Sequence, residues 1–415
     1  MPKCRICRTQ SMTEVLDLGF TPLADSFLST ERIQEPETYY PLKLVRCDVC
    51  FLVQLSYVVP ATVLYNAEYP YESSMTMTGR QHFDMFAKSL VEHEGLSNKD
   101  LVIDIGSNVG VLLSGFSQRG CQVLGLEPVK KLSKIANREG ILTIDCFFSS
   151  ATARDIAERY GKARVITATN VFAHIDDIHD AMRGVDLLLA ENGVFVIEVP
   201  DLTHLLNNLE YDTIYHEHLS YFSLTPLISF FQKVGFSIFD VQQVDIHGGS
   251  KRMYICRKGK RPNKEIVTRL LADEVDGKIH SLEYLTEFAI KVQEHRRKLL
   301  TLLSSLIGSG NRLAGVSAPA KGMTLLNYCG IGTAYLDFVT EKSELKIGTY
   351  TPGGHIPVFS DEKLLANKID YGLLLAWNFK DEIMSNLEEF RRHGGKFIVP
   401  IPEPHVVEDI SNGKD

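Results

Sequence analysis

Two kinds of hydrophobic spacing alternate along much of the chain. Short apolar runs such as Leu101-Val-Ile-Asp-Ile105 are each followed by stretches in which apolar residues return every three or four positions. The first pattern predicts strands buried on both faces and the second helices packed along one side, so their alternation predicts α/β architecture. From 101 to 256, strands are predicted at 101–105, 122–127, a short one ending near 145–147, 164–170 and 193–200. A helix then starts with Thr225 as N-cap and Pro226 as first residue and ends before Gly235. Two closing strands follow, 237–242 and 251–256, with a hairpin between them. A charged helical linker is predicted at 263–306, with Leu282, Leu285, Phe288, Ala289, Val292, Leu299 and Leu303 at mostly helical spacing. From Arg312 a second α/β unit begins, with strands at 313–317, 336–340, 371–377 and 396–400.

The first hundred residues read differently. Cys4/Cys7 and Cys47/Cys50 form two Cys-x-x-Cys pairs, and residues 61–98 are helical and aromatic-rich, with Tyr69 and Tyr71 flanking Pro70 in an extended, lid-like loop. The resulting division is a zinc-binding domain at 1–62, a ligand-binding α/β domain at 63–260 with 63–98 as its lead-in, a linker at 261–310 and a carboxy-terminal α/β domain at 311–415. Two Cys-x-x-Cys turns complete a tetrahedral Cys4 zinc site, and nothing beside them leaves an open ligand position for chemistry, so the metal is expected to be structural. A redox pair would need a thioredoxin-like βαβ pattern that is absent. The remaining cysteines (Cys121, Cys146, Cys256, Cys329) sit in apolar or strand-like contexts and read as small buried hydrophobes.

Composition narrows the partners. The 415 residues are 44% hydrophobic and 23% charged, and the net charge of −8 argues against nucleic acid or an anionic membrane bound through bulk electrostatics. No apolar run follows Met-Pro-Lys-Cys-Arg-Ile-Cys, and no stretch approaches the length of a membrane span, so a cytoplasmic location is expected. A monomer is the expectation, because one chain already supplies three domains.

Candidate chemistry gathers in a few places. Asp104-Ile-Gly-Ser-Asn-Val-Gly110 runs from a strand into a glycine turn and a helix, where Asp104, Gly106, Asn108 and Gly110 can approach a ligand closely. Glu127, at the end of the second strand, can accept hydrogen bonds from both ribose hydroxyls of an adenosine. Asn170, Phe172 and His174 follow the fourth strand. The densest stretch is Ile214-Tyr-His-Glu-His-Leu-Ser-Tyr-Phe222, which sets imidazoles beside a carboxylate and phenols. Histidine is the usual general base near neutrality, and the spacing is not the i, i+4 pair of a helical zinc protease, so acid–base work on a bound substrate is expected. Lys321 opens a helix, a ready place for an anion, and the glycine-rich loop Tyr350–His355 can close over the same ligand.

These motifs occur in a familiar order: the paired Cys-x-x-Cys turns, Asp104–Gly110, Tyr215-His-Glu-His218, His247-Gly-Gly-Ser250 and Ala320-Lys-Gly322. Over essentially its whole length the chain resembles the sugar C-methyltransferases that build branched deoxysugars on nucleotide carriers. Its closing hairpin also fits a seven-stranded methyltransferase sheet better than a dinucleotide dehydrogenase. The resemblance implies three things: a zinc-binding domain, a central Rossmann-like domain binding S-adenosylmethionine, and a carboxy-terminal Rossmann-like domain that helps hold the nucleotide sugar. It also implies a dTDP-linked 4-keto-6-deoxysugar methylated at C3, with C5 reachable by the same enolate logic. In that picture His218 is the base and His247 the second candidate, with Tyr215, Glu217 and His174 assisting. Asp104, Gly106, Asn108, Gly110, Glu127, Asn170 and Phe172 face the cofactor. Tyr71, His247, Lys251, Lys321, Tyr350 and His355 face the substrate. The chain departs from the pattern at Met323, where a polar residue is expected. Two rival readings use the same sequence: an NAD(P)-dependent nucleotide-sugar oxidoreductase or epimerase, disfavoured by the missing Gly-x-Gly-x-x-Gly, and a non-enzymatic zinc-ribbon adaptor, which has no use for Tyr215–His218.

Overall fold

A computed structural model of the chain describes residues 3–66, 69–70, 77–246 and 248–408. They form two compact units, each assembled from separated segments. Met1–Thr13, Val45–Thr203 and Glu217–His280 make the first, and Glu14–Leu44, His204–His216 and Ser281–Asp415 the second.

The first unit is built on a seven-stranded sheet: β1 (Leu101–Ile105), β2 (Gln122–Leu126), β3 (Thr143–Ile144), β4 (Ala163–Thr169), β5 (Leu189–Pro200), β6 (Phe236–Val244) and β7 (Ser250–Arg257). The order is β3-β2-β1-β4-β5-β7-β6. β1 to β5 run parallel, while β7 is antiparallel to both β5 and β6. Its central strands are apolar on both faces because both are covered; Val102, Ile103, Val165, Ile166, Val196 and Ile197 are all fully buried. On one face α1 (Met77–Glu94) packs Phe86, Ala87 and Leu90 with Leu112, Leu113 and Phe116 of α2 (Val111–Gln118). The approach is close enough that a Cβ on Gly115 would lie 2.8 Å from that of Ala87. The register sets Asp104 beside Thr167 and Ile105 beside Leu126, so the carboxyl ends of β1, β2 and β4 come together at the switch in strand order, where ligands of open α/β sheets bind.

One boundary differs from expectation. Helix α3 (Leu224–Lys233) starts before Thr225, with Ser223 at the cap position and no cap bond from its side chain. Its first amides are taken instead by the carboxylate of Glu274, on α4 (Glu265–Asp276), which accepts from Leu224 N at 2.7 Å, Thr225 N at 2.9 Å and the Thr225 hydroxyl at 2.9 Å. A short antiparallel pairing also sets Val53 against Tyr221 and Gln54 against Ser220.

The second unit carries a six-stranded sheet: β8 (Leu313–Val316), β9 (Val339–Thr340), β10 (Val358–Phe359), β11 (Tyr371–Leu374), β12 (Lys396–Val399) and β13 (His405–Val406). Their order is β10-β9-β8-β11-β12-β13, parallel except for β13. The expected strand at 371–377 stops at Leu374, because the chain turns into a 3-10 helix at Trp377–Phe379. The expected linker is two helices, α4 in its first half and α5 (Leu282–Gly308) in its second, the latter capped by Ser281 and burying Leu285, Phe288, Val292, His295, Leu299 and Leu303 along one stripe. Among the described residues, no helix is long and apolar enough to cross a membrane.

Candidate active site

The glycine turn after β1 is shaped for close approach. Gly106 (φ +67°) and Gly110 (φ +81°) adopt left-handed backbone, and a Cβ on Gly106 would sit 2.4 Å from a Val171 methyl. Asp104 is fully buried and accepts a 2.6 Å hydrogen bond from the Thr167 hydroxyl. Glu127 accepts from Asn108 N at 2.9 Å and Val129 N at 2.8 Å, one amide on each oxygen, which fixes its carboxylate over the turn. Each oxygen keeps a further lone pair for a ligand hydroxyl. Burial pushes the Glu127 carboxyl up, these amides oppose the shift, and the charge of Asp145 adds to it.

Asn170 follows β4 in left-handed backbone (φ +55°), and its backbone N–H donates to the Glu198 carbonyl at 2.8 Å. Its Oδ1, with Ser107 Oγ and Thr169 Oγ1, is buried without a protein partner. A group of orphaned polar atoms around a turn with room for no Cβ is what a polar ligand would complete. These residues therefore fit an adenosine-bearing cofactor. Phe172 is placed otherwise: its ring packs against Phe195, Phe222 and Phe231 in the core, which explains its aromatic character without a ligand.

Beyond Asn170 lies the histidine cluster. His174 and His218 have ring centroids 5.0 Å apart. His174 is buried, its Nδ1 is 2.7 Å from the Tyr65 hydroxyl, and its Nε2 has no protein partner. Burial, then the nearby His218, lowers the His174 pKa well below that of a free imidazole, so His174 is held neutral. Glu217 is buried and accepts a 3.0 Å hydrogen bond from the Tyr69 hydroxyl. Tyr65 and Tyr69 pack against Val109, Val129 and Leu132, so this aromatic segment covers the cofactor turn while holding the catalytic candidates. Sequence reading set Tyr69 in a lid but gave no role to Tyr65; only a structure brings its phenol to an imidazole far along the chain. Tyr71 and His247 lie outside the described residues.

Tyr215 belongs to the second unit, half-buried, three residues ahead of His218 where the chain passes between units. His216, in the same unit, is buried, which lowers its pKa to about 4 although carbonyls of Pro41 and Tyr40 accept from it. Its Nε2 is buried without a protein partner.

Lys251, expected to face the substrate, is not a free cation. Its ammonium, almost fully buried, lies 3.0 Å from Asp201 and 2.9 Å from Glu274, and these two carboxylates satisfy it. Within the second unit, Lys321 Nζ lies 3.9 Å from the centroid of the Trp377 ring, whose indole N–H donates to Asp212 at 2.7 Å. The other Asp212 oxygen is buried without a partner. Tyr350 exchanges backbone hydrogen bonds with Leu28, and His355 pairs with Glu37 at 2.8 Å, so those two residues face the 14–44 segment. Met323 is fully buried, which accounts for its apolar character on the helix that begins at Lys321.

The four cysteines Cys4, Cys7, Cys47 and Cys50 place all their sulfurs within 4.8 Å of one another. A tetrahedral zinc with bonds of about 2.3 Å needs sulfurs about 3.8 Å apart, so the cluster matches. Backbone amides of Cys7, Val49 and Cys50 point at Sγ atoms, each at 3.4 Å, as they do where thiolates need stabilising.

A parallel sheet closed by one antiparallel hairpin strand, with a glycine turn after β1 and an acid after β2, defines a methyltransferase domain of the S-adenosylmethionine-dependent class, with zinc held by the amino-terminal cysteines. Three family models match the chain: a zinc binding domain over residues 4–65, a methyltransferase domain over 84–241 and a C-methyltransferase C-terminal domain over 245–402. The chain is 39% identical over 406 residues to the C-methyltransferase NovU of Streptomyces niveus, covering 98% of this chain and 96% of that protein. It belongs to this family of C-methyltransferases. Among solved structures, it is 13% identical to an S-adenosylmethionine-dependent methyltransferase from Clostridium acetobutylicum ATCC 824 (TM-score 0.35; 43% of this chain, 92% of the other). It is 15% identical to magnesium protoporphyrin IX methyltransferase from Synechocystis PCC 6803 with bound SAH (TM-score 0.35; 45% and 90%).

Proposed function

We propose that the chain methylates a carbon beside the ketone of a nucleotide-linked 4-keto-6-deoxysugar, dTDP-linked and at C3, through an enolate formed by His218. The observation that carries this reading is the grouping of His174, Glu217, His218, Tyr65 and Tyr69 next to the cofactor turn. Bound S-adenosylmethionine supplies an electrophilic methyl group. Carbon–carbon bond formation then needs a carbanion equivalent, and a C–H beside a ketone is acidic enough to give one to a positioned base.

His218 takes that proton, and the C–H electron pair passes into the enolate. Because burial keeps His174 neutral, it adds no positive charge against an imidazolium forming 5.0 Å away. Glu217, fixed by Tyr69, orients the sugar, and Tyr215 positions it or donates to the enolate oxygen. Asp104, Gly106 and Gly110 hold the amino-acid end of the cofactor, and Glu127 the ribose. Holding the reacting carbon in line supplies much of the acceleration.

The test is a mass-spectrometric assay with S-adenosylmethionine and a panel of dTDP- and GDP-linked 4-keto sugars, run on the wild type and His218→Ala. A product heavier by one methylene that resists O-demethylation supports C-methylation, and the variant should lose about 10²–10⁴-fold in rate with cofactor affinity kept. Unchanged turnover in His218→Ala would sink the assignment of the base. Cofactor binding with no product from any sugar would reject the acceptor class.

A further inference from the structure

Arg5 lies between the first two zinc ligands, Cys4 and Cys7, yet its side chain turns away from the sulfurs and is only 4% exposed. The guanidinium reaches three places. Nη1 donates to the carbonyl of Leu219 at 2.9 Å and, at 3.3 Å, to that of Leu55; Nε donates to Asp176 at 3.0 Å. Its own amide donates to Gln54 Oε1 at 3.0 Å. Leu219 directly follows His218, and Asp176 follows His174 by two residues. One fork thus ties both histidine-bearing segments to one metal-binding turn. Neighbouring contacts repeat the link: His179 Nε2 lies 2.8 Å from Ile6 O, and Arg8 pairs with Asp177 at 2.7 Å. The Leu219 carbonyl also accepts from Leu55 N at 2.9 Å, which sets the edge of the His218 segment against the strand that follows Cys50.

We propose that Arg5 is a positioning residue for methyl transfer, holding His174 and His218 at their working separation from the Cys4–Cys7 turn. A buried guanidinium is suited to this task because its planar fork serves two carbonyls and a carboxylate at once, which a lysine ammonium on a flexible stem does not. Asp176, 3.0 Å from Nε, also keeps the buried cation from going unmatched. The inference rests on the acid–base reading of the two histidines.

The experiment compares the wild type with Arg5→Lys and, should that variant fail to fold, with Asp176→Ala, whose side chain is largely exposed. Zinc content, SAH affinity by calorimetry, and kcat and KM with a dTDP-linked 4-keto sugar turned over by the wild type are measured together. Solvent deuterium exchange at the acceptor carbon and long-range nitrogen-15 spectra of the imidazole rings complete the set. Arg5→Lys should keep its zinc, its SAH affinity and its KM, lose about 10²-fold in both kcat and exchange rate, and shift the His174 and His218 ring signals. Asp176→Ala should move the same readouts in the same direction by less. A folded, zinc-loaded Arg5→Lys with unchanged kcat and unchanged ring spectra overturns the proposal. Absence of exchange in the wild type would instead count against the acid–base reading, while the ring spectra would still decide whether Arg5 positions the histidines.

Discussion

Burial pushes the carboxyl of Asp104 up to about 7, with the Thr167 hydrogen bond opposing the shift and the charge of Glu127 adding to it. An acid raised in this way favours the folded chain below its ordinary pKa and loses that contribution as pH rises through about 7. A ligand that brings positive charge beside Asp104 reverses the preference, because the ionised form is then matched. If the amino-acid end of S-adenosylmethionine sits there, binding below pH 7 must expel a proton. Calorimetry in buffers of different ionisation enthalpy should show release approaching one proton at low pH and fading above pH 7, with affinity weakening up to tenfold for each pH unit below it. Asp104→Asn should bind more weakly and lose the pH dependence. Affinity that stays flat across this range in the wild type would remove Asp104 from the cofactor's charged end. The glycine turn and Glu127 were legible from sequence because they are local patterns, a strand end, a glycine and an acid at a fixed offset. Tyr65 and Arg5 were not, since their partners His174 and Leu219 lie far along the chain and no spacing rule connects them.

At the scale of elements, α3 shows where local rules stop. Thr225-Pro226 carries the residue types of a cap and a first turn, but the amides of Leu224 and Thr225 are satisfied by Glu274 from another helix. The β-strand positions of the first sheet were readable because each is an apolar run between turns; the start of α3 was not, because its cap comes from a distant carboxylate. Burial would raise the Glu274 carboxyl, but His280 3.8 Å away, the charge of Lys251 and the Leu224 amide outweigh it and hold the pKa down to about 2. A depressed acid stabilises the fold above its unfolded pKa near 4.3, and this contribution falls away between there and about pH 2. Glu274→Gln should therefore lower stability by about 3 kcal/mol at pH 7, the size expected for breaking a buried ion pair. In urea melts the gap between variant and wild type should narrow as pH drops from 5 to 3. A gap independent of pH would mean that packing, not charge, sets the cost. Lys251 read from sequence as a substrate cation; its place between Asp201 and Glu274 makes it part of this same scaffold.

For the whole molecule, the interleaving of segments is what no sequence window could display. The second unit takes Glu14–Leu44 and His204–His216 from within the stretch that builds the first. Segment 14–44 is fastened inside that unit by Leu28 to Tyr350, by Glu37 to His355 and Gly353, and by Asp25 to Lys346. A chain ending at 280 should therefore retain zinc and the seven-stranded sheet while leaving 14–44 and 204–216 without their partners. Limited proteolysis of that fragment should cut first in those two segments, and protection there equal to that in the full chain would contradict the division. The zinc ligands stand on either side of the first excursion, Cys4 and Cys7 before it and Cys47 and Cys50 after it. That placement gives the metal a part in the timing of synthesis. At about 5–20 residues per second, the residues near 350 that fasten the excursion leave the ribosome about 15–60 s after its end has emerged. Through that interval a zinc ion would hold both ends of the excursion together as a tied loop, and nascent chains halted once Cys50 has cleared the ribosome should already carry the metal.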